Sequence, residues 1–128
     1  MTQQRYDLEL GPLTDKNFQV LKVILGPFEK SNICQIGYFS DFAVAGISCK
    51  SVGDTLHVEG LAVLAAYRRL GFGARLLKWA ESRALADGLV KLHVLASSHE
   101  AKAFFISRGF QVIKEASEGG MLLSKELR

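Results

Sequence analysis

The hexapeptide Arg68-Arg69-Leu70-Gly71-Phe72-Gly73 has the composition of a diphosphate cradle. It follows the apolar run Leu61-Ala62-Val63-Leu64 and leads into an amphipathic stretch, a strand–loop–helix setting. The first turn of a helix leaves backbone N–H groups without internal partners and with a partial positive charge. Glycines at 71 and 73 place no Cβ in the path of phosphate oxygens, and Arg68 and Arg69 add charge and forked donors. Two other nucleotide loops do not fit. A Walker-type loop ends in Gly-Lys-Ser/Thr, whereas Gly73 is followed by Ala74-Arg75. A dinucleotide fingerprint needs a third glycine where Leu76 stands, and an acidic residue ~20 positions on. Lys91, Leu92 and His93 occupy that place. An ordinary strand-to-helix corner, with glycines for backbone geometry alone, is the other reading of the hexapeptide.

Three further side chains could move protons. His57 and Glu59 share one face of a strand by period two, and His93 shares a face with Lys91 on a later strand. Imidazole, with an unperturbed pKa of ~6.5, suits proton transfer near neutral pH. A histidine on a half-buried strand reads equally as a structural or solvent-facing residue.

These residues need elements to hold them. Tyr6 to Leu10 alternates at period two and ends at Gly11-Pro12, a strand. Thr14 or Asp15 caps a helix through Phe18, Leu21, Lys22 and Leu25, stopped by Gly26-Pro27. Ile36–Phe39, a Ser40-Asp41 turn and Ala43–Ser48 read as a hairpin, and a turn at Gly53-Asp54 precedes a strand from Thr55 to Val63. Beyond the glycine loop, Leu76, Leu77, Ala80 and Ala84 form one helical face with Lys78, Glu81 and Arg83 outside, closed by Gly88. Val90 to Ala96 alternates as a strand, and Ser97 or Ser98 caps a helix with Ala101, Phe104 and Phe105 inward. Two strands close the chain, Phe110–Glu115 and Met121–Glu126, around Gly119-Gly120. The order strand, helix, three strands, helix, strand, helix, two strands predicts an α/β (α+β) mixed sheet with helices against it.

The 128 residues are expected to form one domain, 1–128. Hydrophobic residues at 48% and charged residues at 23% are ordinary for a globular protein. The net charge of +3 is scattered apart from Arg68-Arg69, which argues for a local anion site and against nucleic-acid binding. No apolar run approaches the ~18 residues of a membrane helix, and Met1 to Arg5 has no signal core. Cys34 and Cys49 carry no metal-ligand spacing and read as small buried hydrophobes, so no metal and a reducing cytoplasmic location are expected.

Arg68-x-x-Gly71-x-Gly73 resembles the acyl-CoA loop of the Gcn5-related N-acetyltransferase superfamily. Ala101-Lys102-Ala103-Phe104-Phe105-Ile106-Ser107-Arg108-Gly109-Phe110 is similar to that superfamily's later helix motif. The element order matches as well. Within the superfamily, Tyr38-Phe39-Ser40-Asp41-Phe42-Ala43-Val44, Ala65-Ala66-Tyr67-Arg68-Arg69-Leu70-Gly71 and Leu92-His93-Val94 look most like San-type amino-terminal acetyltransferases. The likeness runs from Leu8 to about Ile113 and thins between Pro27 and Gln35.

That resemblance implies a mostly antiparallel sheet of six to seven strands, splayed where acetyl-CoA enters. It also implies acetyl transfer to an amine, foremost the α-amino group of a peptide, with a polyamine or amino-sugar as the alternative acceptor. A module that binds coenzyme A without catalysis is the reading from another class. The resemblance assigns acetyl-CoA contacts to Leu61, Ala62, Val63, Arg68, Arg69, Leu70, Gly71, Phe72, Gly73, Ala74, Ser98 and Phe105. It places His93 at the San-type catalytic histidine and His57 where those enzymes carry Tyr and other members Glu, with Glu59 beside it. Phe28 and Glu29 fall where a peptide groove has its wall. Phe105 stands where many members carry a thiolate-protonating Tyr, and Ser98 where they carry Asn. The sequence leaves monomer and homodimer equally open.

Overall fold

The structure is a computed structural model and describes residues 8–115 and 119–127. Its elements follow the expected order: β1 (Glu9–Pro12), α1 (Phe18–Leu25), β2 (Ile33–Phe39), β3 (Phe42–Val52), β4 (Thr55–Val63), α2 (Phe72–Ala86), β5 (Lys91–Ala96), α3 (His99–Ile106), β6 (Gln111–Glu115) and β7 (Met121–Glu126). A single 3-10 turn at Ala65–Tyr67 joins β4 to the glycine loop and is new relative to the sequence reading. The strands form one seven-stranded sheet in the order β1-β2-β3-β4-β5-β7-β6. Pairing is antiparallel for β1–β2, β5–β7 and β6–β7, and parallel for β4–β5, which α2 connects. Contacts divide the chain into two compact units, residues up to Ser48 with Gly60–Trp79, and Cys49–Glu59 with Ala80 onward.

In the first unit β1 runs on through Gly11 and Pro12, where the sequence reading ends it; Tyr6 and Asp7 lie outside the described residues. The extension is possible because β1 is an edge strand, where a proline's missing N–H costs no ladder bond. Helix α1 has Asn17 at its N-cap position, and the expected capping hydroxyl of Thr14 accepts from Asn17 N–H one turn earlier. Thr14 N–H donates to Asn17 Oδ1 at 2.7 Å, and Asn17 N–H donates to Thr14 Oγ1 at 3.3 Å, a reciprocal pair ahead of the helix. Gly26, at φ +82°, ends α1. Ser40 and Asp41 both take positive φ (49° and 69°), so β2 and β3 meet in the two-residue turn whose twist matches the strands. Leu21, Cys34 and Ile36 form a buried cluster ringed by Leu13, Leu25, Phe28, Tyr38 and Ala43. A Cβ at Gly46 would meet Leu21 Cδ1, so a larger residue there would make that buried side chain shift.

In the second unit the β4–β5 ladder pairs Thr55 to Val58 with Lys91 to Val94. Leu56, Val58, Leu92, Val94 and, across β7, Leu123 are all buried on one sheet face. Alternation sends His57 and His93 to the other. Helix α2 ends as Gly88 (φ +76°) lets Leu89 N–H reach Ala84 O at 2.8 Å and Gly88 N–H reach Leu85 O at 3.1 Å. Helix α3 ends in the same way at Gly109, where Phe110 N–H donates to Phe105 O and the two rings pack 5.2 Å apart. Glu81 corrects the helical wheel, which puts it outside. It is half-buried and ion-paired with Lys125 of β7.

Candidate active site

The glycine loop belongs to the first unit. Leu61, Ala62 and Val63, the last residues of β4, are half-buried. Arg68 is exposed, and its Nε donates to Val63 O at 2.9 Å. That bond pins the loop to the strand before it. Arg69 is exposed and sits at φ +65°, the left-handed region that non-glycine residues seldom adopt. Gly71 follows at φ +84°, and nothing lies within 4 Å of the Cβ it lacks. Its carbonyl accepts from Arg75 N–H at 3.0 Å, so it is the residue on which α2 starts. Gly73 and Ala74 occupy the first turn, which carries no acidic side chain. Phe72 is buried at 2% exposure, its ring 5.8 Å from that of Phe39. Phe72 therefore offers a ligand its backbone only, and Leu70 is half-buried beside it. Open space, free helix-end amides and two exposed arginines fit a diphosphate.

Phe28 and Glu29 come just after α1 in the same unit. Phe28 packs on the Leu21–Cys34–Ile36 cluster, with its ring edge-to-face to Phe18 at 5.1 Å, so it belongs to the core margin. Glu29 is exposed.

The second unit holds His57, His93 and Glu59 in a groove of about 630 Å³. His57 and His93 are Cα partners across β4 and β5. Their rings stand at 88° with centroids 5.1 Å apart. Glu59 lines the groove with them, as do Lys50, Val52, Leu95 and Leu122. Those four were not singled out from sequence. Period-two alternation carried the signal for Leu95, which follows His93 on its face, and the Gly53-Asp54 turn folds Lys50 and Val52 back beside His57. Burial holds the His93 imidazole below its usual pKa; the neighbouring His57 and Lys91 charges add to this, and Asp54 and Glu126 oppose it.

The structure gives Ser98 and Phe105 other work. Ser98 Oγ accepts from Ala101 N–H at 3.1 Å as the N-cap of α3, and its O–H and second lone pair remain for another partner. Phe105 is buried at 5% exposure, edge-to-face with Phe104 and Phe110. Its side chain packs in the core. The ring is part of the hydrophobic clasp that closes α3. Among the described residues no group of three or more His, Cys, Asp or Glu converges, and no helix is long and apolar enough to cross a membrane.

The acetyltransferase (GNAT) family matches residues 12–110, and the chain belongs to that family. N-alpha-acetyltransferase 50 of Danio rerio is 29% identical, the match covering 84% of this chain and 76% of that protein. Among solved structures, the PaiA N-acetyltransferase of Thermoplasma acidophilum, in complex with coenzyme A, superposes with a TM-score of 0.82 at 12% identity, covering 94% of this chain and 99% of that one. Arabidopsis thaliana Naa50, in complex with the bisubstrate analogue CoA-Ac-MVNAL, gives 0.77 at 18% identity, covering 92% and 97%.

Proposed function

We propose that this acetyltransferase takes the acetyl group of acetyl-CoA and transfers it to the α-amino group of a peptide or protein. The observation that carries the reading is the His57–His93 pair, two imidazoles in register facing one groove. The relatives support the acceptor class: one is an N-alpha-acetyltransferase, and another is held with an analogue joining CoA to the peptide MVNAL.

The acceptor ammonium has to lose its proton before its nitrogen can attack the thioester carbon. His93, within the groove, is the base for that proton, and His57 stands beside it to take it onward. An α-amino group, pKa ~7.7–8.0, is already partly neutral at physiological pH, whereas a lysine at ~10.4 is almost wholly charged. An imidazole therefore suffices for the first and serves the second poorly. As the C–N bond forms, the carbonyl oxygen gains charge. Backbone N–H groups of Leu61 to Val63 are the proposed donors to it. The C–S bond then breaks, and the thiolate of coenzyme A, with a thiol pKa of ~8.5, leaves without needing a tyrosine at position 105. Arg68, Arg69 and the amides of Gly71 to Ala74 would bind the diphosphate. The two buried thiols suit a cytoplasmic setting.

Incubation with acetyl-CoA and matched panels of peptides and small amines tests the proposal. Acetylated peptide amino termini are expected. A preference for polyamines or amino-sugars would move the acceptor class, and tight acetyl-CoA binding without any acceptor-dependent thiol release would make the chain a binding module.

A further inference from the structure

The backbone fixes His57 and His93 side by side. As Cα partners in a parallel ladder they leave the sheet on the same face, on strands about 4.8 Å apart. Two imidazoles bound to one tetrahedral divalent ion, with metal–nitrogen bonds of about 2.0–2.1 Å, have ring centroids about 5 Å apart. The separation here is 5.1 Å, in an open groove with room for the ion and its waters. No third ligand converges among the described residues, so an ion held here would keep coordination positions for water and exchange with solvent. It would differ in this from a resident structural or catalytic metal. Hard cations such as Mg²⁺ prefer oxygen ligands and would pass the site by.

We propose that His57 and His93 form a two-imidazole site for an exchangeable divalent transition ion, with Zn²⁺ the reference case, and that the bound ion closes the groove to acceptor amines. The binding half stands on the geometry alone, and the blocking half rests on the acetyltransferase reading. The same nitrogen lone pair that would take the acceptor's proton would hold the ion, so the two occupancies exclude each other.

Calorimetric titration of the full chain with Zn²⁺, and separately with Mg²⁺, tests it. One Zn²⁺ per chain and no Mg²⁺ are expected. Affinity for Zn²⁺ should fall about tenfold or more in both His57→Gln and His93→Gln. It should hold in His99→Gln, which removes the remaining histidine, at the start of α3. Circular dichroism checks that each variant is folded, and His57→Tyr, which keeps an aromatic ring but no imidazole, should lose the ion like His57→Gln. Absence of saturable Zn²⁺ binding, binding that survives either glutamine variant, or loss in His99→Gln overturns the proposal. In the transfer assay Zn²⁺ should raise the apparent KM for the acceptor peptide, reversibly with chelator. Binding without that effect overturns the blocking half. A chain that binds Zn²⁺ yet transfers no acetyl group to any acceptor refutes the acetyltransferase reading and leaves the ion site standing.

Discussion

At the scale of single residues, the proposed function makes the state of His93 the condition under which the groove can accept a proton. Burial is the first cause of its lowered pKa, and the charge of His57 is the second. A base works only when unprotonated, so the acid limb of kcat should lie below the ordinary histidine value of ~6.5. Taking away the His57 charge removes one of the depressing causes, so His57→Gln should move that limb toward higher pH. A pH–rate profile in chelator-treated buffer checks both, and a limb that stays in place excludes electrostatic coupling between the rings. His93→Gln should lower kcat by about 10²-fold or more while acetyl-CoA affinity is kept. Gly71 poses a different question. Nothing crowds its missing Cβ, so Gly71→Ala carries only the cost of a left-handed φ, about 1–2 kcal/mol by thermal or urea unfolding. Gly71→Glu adds a negative charge where the diphosphate would sit and should weaken coenzyme A binding far more than Gly71→Ala does. Equal effects would place the diphosphate elsewhere.

At the scale of elements, helix α3 shows a motif residue whose side chain packs the end of its own helix. Phe105 is the residue whose carbonyl accepts Phe110 N–H, and its ring packs on Phe110 and Phe104. Phe105→Tyr would push a hydroxyl into that packing and cost about 1–3 kcal/mol if left unbonded. It should not raise kcat. An increase in turnover would restore the thiolate-protonating role that the buried ring argues against. Ser98→Ala should cost about 1 kcal/mol through the lost N-cap. The pattern of what was legible follows from the same physics. Element order and type showed through because period-two runs, period-3.6 faces and glycine stops are local signals, and β7 falls on its expected residues. The reach of β1 through Pro12, the cap at Asn17 and the half-burial of Glu81 were not legible. Each involves a partner distant in sequence: an edge position beside β2, the Tyr38 hydroxyl that accepts from Asn17 Nδ2 at 3.0 Å, and Lys125 of β7. The histidines could be placed on strand faces from sequence, but their register could not, since a shift of one residue in β5 would have separated them.

At the scale of the whole molecule, the divisions between the two compact units fall inside regular elements: after Ser48 in β3, after Glu59 in β4 and after Trp79 in α2. A chain of 128 residues lies under the ~150 below which unfolding is usually all-or-none. A single thermal transition is expected, with Trp79 fluorescence and far-ultraviolet circular dichroism tracing one curve. Ligand linkage then turns this cooperativity into a test of the anion loop. A ligand that binds only the native chain stabilises it by about 2.7 kcal/mol when present at 100 times its Kd. For a chain of this length, each kcal/mol shifts Tm by about 3–5 °C, so saturating acetyl-CoA should raise Tm by about 10 °C. Because the loop offers exposed arginines and helix-end amides, added salt should shrink that shift, and Arg69→Ala should shrink it further while leaving the unliganded Tm almost unchanged. If acetyl-CoA moves Tm in the Arg69→Ala and Gly71→Glu variants as much as in the native chain, the diphosphate is not held at this loop. The loop would then be an ordinary strand-to-helix corner.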